Sequence, residues 1–479
     1  MRPGESRQRC TARAFTAILL GVGAAAGVAW AQVAVQNQGY VPFSDEPINY
    51  RSEAHDPVAE LQKRLNRGDA ALQYEPEHGY LKSVLQNLGI SAQSQTLVFS
   101  KTSFQYKKIS PQHPRALYFN DDVYVGQVHE GKVLEFVSFD SMQGAMFYIL
   151  DEQKADKPKF ERAELDCTQC HIAAGTRNVP GVLLRSVYTM PTGTQALRTE
   201  AFITGQESPW AERFGGWFIT GTYGHQTHMG NAVVEDKEHP SELNRAAGAN
   251  ISDLSKWFDT SAYLSGSSDI VAHLVLGHQT QMHNLITLTN YQTRLALYAE
   301  AQKNKAEGRP AGSEISEAAH KQYQAPAEAL VQYLLFTNEA PLTDVVKGDS
   351  GFAEEFAARG PRDPQGRSLR DFDLHTRIFK YPCSYLIYSS DFDALPEPAK
   401  TYVYDRLFEV LTGRDQGPEF ARLTAKDRRA ILEILVATKP GLPQAWKTYL
   451  AKPAEAKTSA STPEPARALD RMHKSFGKD

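Results

Sequence analysis

Five consecutive residues, Cys167-Thr168-Gln169-Cys170-His171, set two thiols three positions apart with an imidazole directly after them. C-x-x-C-H is the spacing of covalent haem attachment. Each thiol can add across one vinyl group of the same porphyrin. The histidine then lies under the ring, where a ring nitrogen becomes the proximal iron ligand. The pattern occurs once in the chain. The expectation is therefore one covalent haem c, held by Cys167, Cys170 and His171.

Other chemistries compete for the same thiols. Cys167, Cys170, His225 and His228 spell C-x2-C followed by H-x2-H, a chemically reasonable zinc set. The gap between the two halves is much longer than in a zinc finger, and the position of His171 goes unexplained. A thioredoxin-like redox pair needs a βαβ context, which the flanking residues do not supply. A structural disulfide is the third alternative. Of the other cysteines, Cys383 is expected to be a buried thiol, and Cys10 lies in the N-terminal segment.

The sixth iron position decides what such a haem does. A methionine there raises the reduction potential, a histidine gives a lower one, and an open position permits ligand chemistry. The loop 220–231 gathers His225, His228 and Met229 between Gly224 and Gly230. Glycine-flanked backbone can approach a flat ring closely. His228 is the expected distal ligand and Met229 its alternative. On a predicted long helix, His278 and Met282 are about 40° apart and continue an apolar stripe, so they read as core, and His283 points elsewhere. Asp121-Asp122 reads as a turn. No Ser-His-Asp arrangement and no phosphate-binding glycine loop is present in the sequence.

The stretch from Cys167 to Leu183, with Gly175, Pro180 and Gly181, resembles the haem-binding segment of class I cytochromes c. That resemblance implies that a backbone carbonyl near Pro180 accepts a hydrogen bond from the proximal histidine, fixing the imidazole and tuning the metal. The segments 115–126, 278–285 and 381–388 are similar to large exported single-haem cytochromes, which implies one fold built around the haem. Bacterial two-haem peroxidases carry two C-x-x-C-H motifs, so the chain departs from them.

The elements that must position these residues follow from composition and pattern. The chain has 479 residues, 41% apolar and 23% charged, with 52 basic against 56 acidic side chains, a net charge of -4. That is a globular mixture, and no block of like charge calls for a nucleic-acid partner. Residues 1–31 read as a secretory signal peptide: four arginines, an uncharged stretch, then Ala29-Trp30-Ala31 as a cleavage pattern. The mature chain would carry a net charge of -7 and no membrane span, and would work in the periplasm.

Helical patterns fall at 57–66 and 79–89. Period-two segments at 96–99, 115–119, 122–129, 132–139 and 146–150 predict a small sheet, with a hairpin turn at Glu130-Gly131. Residues 151–164 read as a charged loop and 217–220 as a strand. Asp269 is the predicted N-cap of a helix over 269–303, and 304–313 is a loop. Further helices are predicted at 325–337, 396–412 and 424–438, with Pro396 in a first turn and Thr424 as N-cap. The tail from 451 reads as disordered. The fold class is α+β: an N-terminal mixed or β region at 32–150, a haem-binding region at 151–303 and a helical region at 314–450. The expected function is electron transfer to a periplasmic redox partner protein. A haem enzyme with an open distal site, peroxidase- or oxygenase-like, and a zinc-binding protein are the alternatives.

Overall fold

The computed structural model describes residues 41–451, except 311 and 313. The segment 1–31 read as a signal peptide, with Cys10, and the tail beyond residue 451 lie outside the described residues.

Local chemistry sets the element ends. Asp56 opens α1 (Pro57–Arg67) by accepting from the N–H groups of Val58 and Ala59, and left-handed Gly68 closes it. α2 (Leu81–Leu88) follows. The predicted sheet is present as β1 (Thr96–Val98), β2 (Arg115–Phe119), β3 (Val123–Val128), β4 (Val133–Asp140) and β5 (Gly144–Asp151). The β3–β4 turn takes Glu130 into the left-handed region, φ 52°. β6 (Phe160–Arg162) lies within the stretch expected to be loop. Only Phe160 of its three residues is buried, so nothing but its backbone pairing with β5 marks it as strand.

α3 (Glu164–His171) comes next, then a two-stranded ladder of β7 (Arg185–Val187) and β8 (Ala201–Ile203). The predicted strand at 217–220 is shorter, β9 (Trp217–Phe218), and it returns to pair with β1. The large sheet is antiparallel throughout, in the order β6-β5-β4-β3-β2-β1-β9.

The helical part opens with α4 (Ile270–Ala306), 37 residues capped by Asp269 as predicted. α5 (Glu317–Leu334) starts eight residues before the prediction and runs through Pro326. α6 (Phe352–Ala358), α7 (Ser390–Asp393), α8 (Glu397–Leu411), α9 (Ala425–Thr438) and α10 (Gln444–Ala451) complete the order. Pro396 is the N-cap of α8 rather than part of its first turn. Thr424 caps α9 through a reciprocal pair with Asp427. The architecture is α+β.

Alternation along the strands sends side chains to two cores. Tyr118, Val125, Phe136 and Tyr148 pack with Leu61, Leu81 and Val84 of α1 and α2. Phe119, Tyr124, Phe139 and Phe147 face the other way and join α4 and the C-terminal helices, down to Trp446. The sheet is thus sandwiched between helices. α4 is covered on every side from Ile270 to Tyr291, so its histidines, glutamines and asparagines there are interior groups. Residues from all three predicted regions share the second core.

Candidate haem site

One residue, Ala163, separates β6 from α3, and its N–H donates to the Phe147 carbonyl oxygen at 2.9 Å. The sheet edge therefore fixes where α3 starts, and α3 packs on β5. At 100° per residue, Cys170 lies about 60° to one side of Cys167 and His171 about 40° to the other. Both thiols and the imidazole share one helix face. Cys170 is exposed, while Cys167 and His171 are half-buried. No disulfide joins the two thiols among the described residues.

The His171 ring is held from two sides. Its Nδ1 lies 2.8 Å from the carbonyl oxygen of Gly181. A nitrogen facing an acceptor carries the proton, which leaves the lone pair on Nε2. The acceptor is thus one residue beyond Pro180, whose own carbonyl takes the Ala145 N–H at 3.2 Å and ties the loop to β5. The Phe147 ring stands 4.9 Å from the imidazole. Burial lowers the His171 pKa, and the Gly181 bond works against that. Of the charged groups, Arg115 pushes it further down and Glu135 up. These two form an ion pair with each other. A donor set of this kind suits a covalent haem: two thiols on one face, one reaching solvent, beside an imidazole that presents Nε2.

The expected distal ligands lie elsewhere. His228 is buried against Phe214 and Tyr223, and Phe214 also touches His273 in the first turn of α4. The His171 loop instead meets α4 at Asn284. Eleven residues of helix separate the two places, about 16 Å. Two imidazoles on one metal need nitrogens about 4 Å apart, at about 2 Å per bond. The tautomer differs too. His228 Nδ1 accepts the Gly230 N–H at 3.0 Å, so its proton sits on Nε2, which has no partner among the described residues. Burial, with a smaller contribution from Arg245, pushes its pKa down to about 3. Met229 is buried with its sulfur 3.7 Å from the Ser186 hydroxyl, and its methyl group lies close to Gly215. The structure does not bring His228 or Met229 to His171. The glycines flanking this loop accommodate protein neighbours: a Cβ on Gly224 would collide with Asp344 and one on Gly230 with Ile219.

The zinc set is not assembled either. His225 is exposed, and no group of three or more His, Cys, Asp or Glu is placed to hold a metal ion among the described residues. A haem iron takes a single protein nitrogen on its proximal side, so that finding leaves His171 untouched.

The stretches 115–126, 278–285 and 381–388 meet at one buried polar network. Gln279 donates to the Asn120 carbonyl at 2.7 Å and the Tyr124 hydroxyl at 2.8 Å, and accepts from Tyr385 at 2.6 Å. His283 Nε2 reaches the Asp121 carbonyl at 2.7 Å, and its Nδ1 lies 3.3 Å from Asp391. His278 bridges Gln206 and Ser384, both at 2.7 Å, and Met282 is buried packing, so both are core residues as expected. Cys383 is a buried thiol, as expected.

Sequence reasoning missed Gly181, Asn284 and Phe147. The resemblance pointed within one residue of Gly181. Phe147 was visible as an inward residue of a predicted strand, and nothing in the sequence marked Asn284. Compared with known proteins, the chain matches no family model, no curated protein and no solved structure.

Proposed function

We propose that the chain is an exported, periplasmic c-type cytochrome that carries one haem and passes single electrons to and from a redox partner protein. The observation that carries this reading is the state of His171: its Nδ1 is committed to the Gly181 carbonyl, so its Nε2 is free to bind metal, on the helix face that bears both thiols. Cys167 and Cys170 would hold the group by thioethers, each S–H adding across one vinyl bond with the hydrogen passing to the neighbouring carbon. A covalent haem supplies a one-electron couple at its iron. His171 would bind the iron, and the Gly181 carbonyl would keep the imidazole oriented and electron-rich. Phe147 and the core behind Cys167 would exclude water from that side.

A pyridine haemochrome spectrum and the intact mass, taken on protein exported from a host with cytochrome maturation, test the reading. One covalent haem per chain is expected, and its absence refutes the proposal. Carbon monoxide then separates the two haem functions. Weak binding by the reduced protein supports the electron carrier; tight binding replaces it with the haem enzyme.

A further inference from the structure

The bond to His171 continues beyond Gly181. The Gly181 carbonyl and the Val182 N–H belong to one planar peptide unit. The Val182 N–H donates to Oδ1 of Asn284 at 3.0 Å, and Nδ2 of Asn284 returns to the Val182 carbonyl at 2.7 Å. Asn284 is fully buried on α4. A single side chain therefore holds both backbone groups of Val182, as a neighbouring strand would. Gly181 leaves room for this: a Cβ there would stand 2.2 Å from Asn284 Oδ1.

We infer that Asn284 is a positioning residue for His171, acting on it through the 181–182 peptide; this rests on the haem reading above. The chain of donors runs from His171 Nδ1–H to the Gly181 oxygen, and through the same amide from Val182 N–H to Asn284 Oδ1. Hydrogen bonds in series polarise one another. Accepting the amide proton draws charge toward its oxygen, making that oxygen a better acceptor for the imidazole. The imidazole becomes more electron-rich at Nε2, which would favour the oxidised state of a bound iron and lower its reduction potential. The second bond, from Nδ2 to the Val182 carbonyl, belongs to the next peptide; it fixes Val182 against α4 and so keeps its N–H on Oδ1. Through this peptide α4 acts on His171 without touching it.

The test is the midpoint potential of the full holoprotein. Asn284→Leu removes both bonds, and Gly181→Ala pushes the Asn284 oxygen away while leaving the side chain in place. Both are expected to shift the reduction equilibrium upward about three- to tenfold, about 28–59 mV at 59 mV per decade for one electron. Gln281→Leu is the matched control. Gln281 binds the same loop from the same helix, at the Gly175 carbonyl, 3.2 Å, but touches a different peptide, and its potential should stay at the wild-type value. A wild-type potential in Asn284→Leu, or an equal shift in Gln281→Leu, overturns the inference while the haem reading stands. If neither Asn284→Leu nor Gly181→Ala assembles with haem, Asn284 is a residue of the fold alone and the tuning role is refuted. Wild-type protein without covalent haem, read by mass, refutes both.

Discussion

His171 and Gly181 are bonded twice: the imidazole Nδ1 lies 2.8 Å from the Gly181 carbonyl oxygen, and the Gly181 N–H donates to the His171 carbonyl at 3.0 Å. The intervening loop is thereby closed onto the end of α3. Thr176 fills its centre, donating to Val179 O at 2.9 Å and accepting from Ala173 N–H at 3.0 Å. The loop's shape is set by these bonds, so the imidazole is positioned by the polypeptide itself.

Gly181→Ala should therefore cost stability. The added methyl group meets Asn284 Oδ1, which cannot retreat without giving up the Val182 N–H. Strained insertion of this kind costs about 1–3 kcal/mol. Chemical denaturation of the variant should show that loss, and a midpoint equal to wild type would place the loop further from α4 than the structure does.

His228→Ala is expected to leave the haem absorption spectrum unchanged and to lower stability by about 2 kcal/mol through lost packing against Phe214 and Tyr223. A low-spin wild type that turns high-spin in this variant would restore His228 as the distal ligand.

The N-terminus of α4 depends on one carboxylate. Asp269 accepts from the N–H groups of Val271, Ala272, Asp349 and Ser350 and from the Ser350 hydroxyl, and is fully buried. Asp269→Ala loses the cap and leaves several of these donors unpaired, a cost of about 2–4 kcal/mol. Thermal unfolding measures it, and a loss under about 0.5 kcal/mol would contradict the arrangement.

Much of the frame that carries the site was legible in the sequence because it is written in local terms. Asp269 and Thr424 are side chains that cap their own helices, and Glu130-Gly131 makes its own turn. β6 was missed because its strand character comes from β5 and not from its own three residues. The start of α5 was missed by eight residues: the helix continues through Pro326, where the missing N–H removes only one bond of the ladder. His171 stood out as a candidate because the motif is contiguous. Asn284 was invisible because its role arises only when α4 is laid beside Val182, more than a hundred residues away in sequence. That the 225–229 loop lies away from His171 was invisible for a related reason: clustering of His225, His228 and Met229 in sequence says nothing of which way each side chain faces.

Glu339 gives a pH dependence. Burial raises its carboxyl to about 7, against smaller opposing effects of the Ile378 N–H and of Arg422, Arg213 and Arg377. The folded state then holds the proton more tightly than the unfolded chain, so this group's contribution is greatest below about pH 4.5 and is lost as pH rises to about 7. Glu339→Gln keeps an oxygen for the Ile378 N–H. It should match wild type at pH 4 and exceed its stability at pH 8 by about 1–3 kcal/mol. Urea unfolding at the two pH values decides this, and equal stabilities at pH 8 would mean that Glu339 is solvated and ionises normally.

The central claim is that Cys167 and Cys170 are consumed by haem, and counting thiols on the mature exported protein tests it most directly. Burial pushes the Cys383 thiol up to about 12, so it should not react with a thiol reagent in the native state. The account predicts no reactive thiol in the folded protein, one after unfolding, and a mass increased by one haem. Three reactive thiols after unfolding, with the mass of the bare polypeptide, would contradict it.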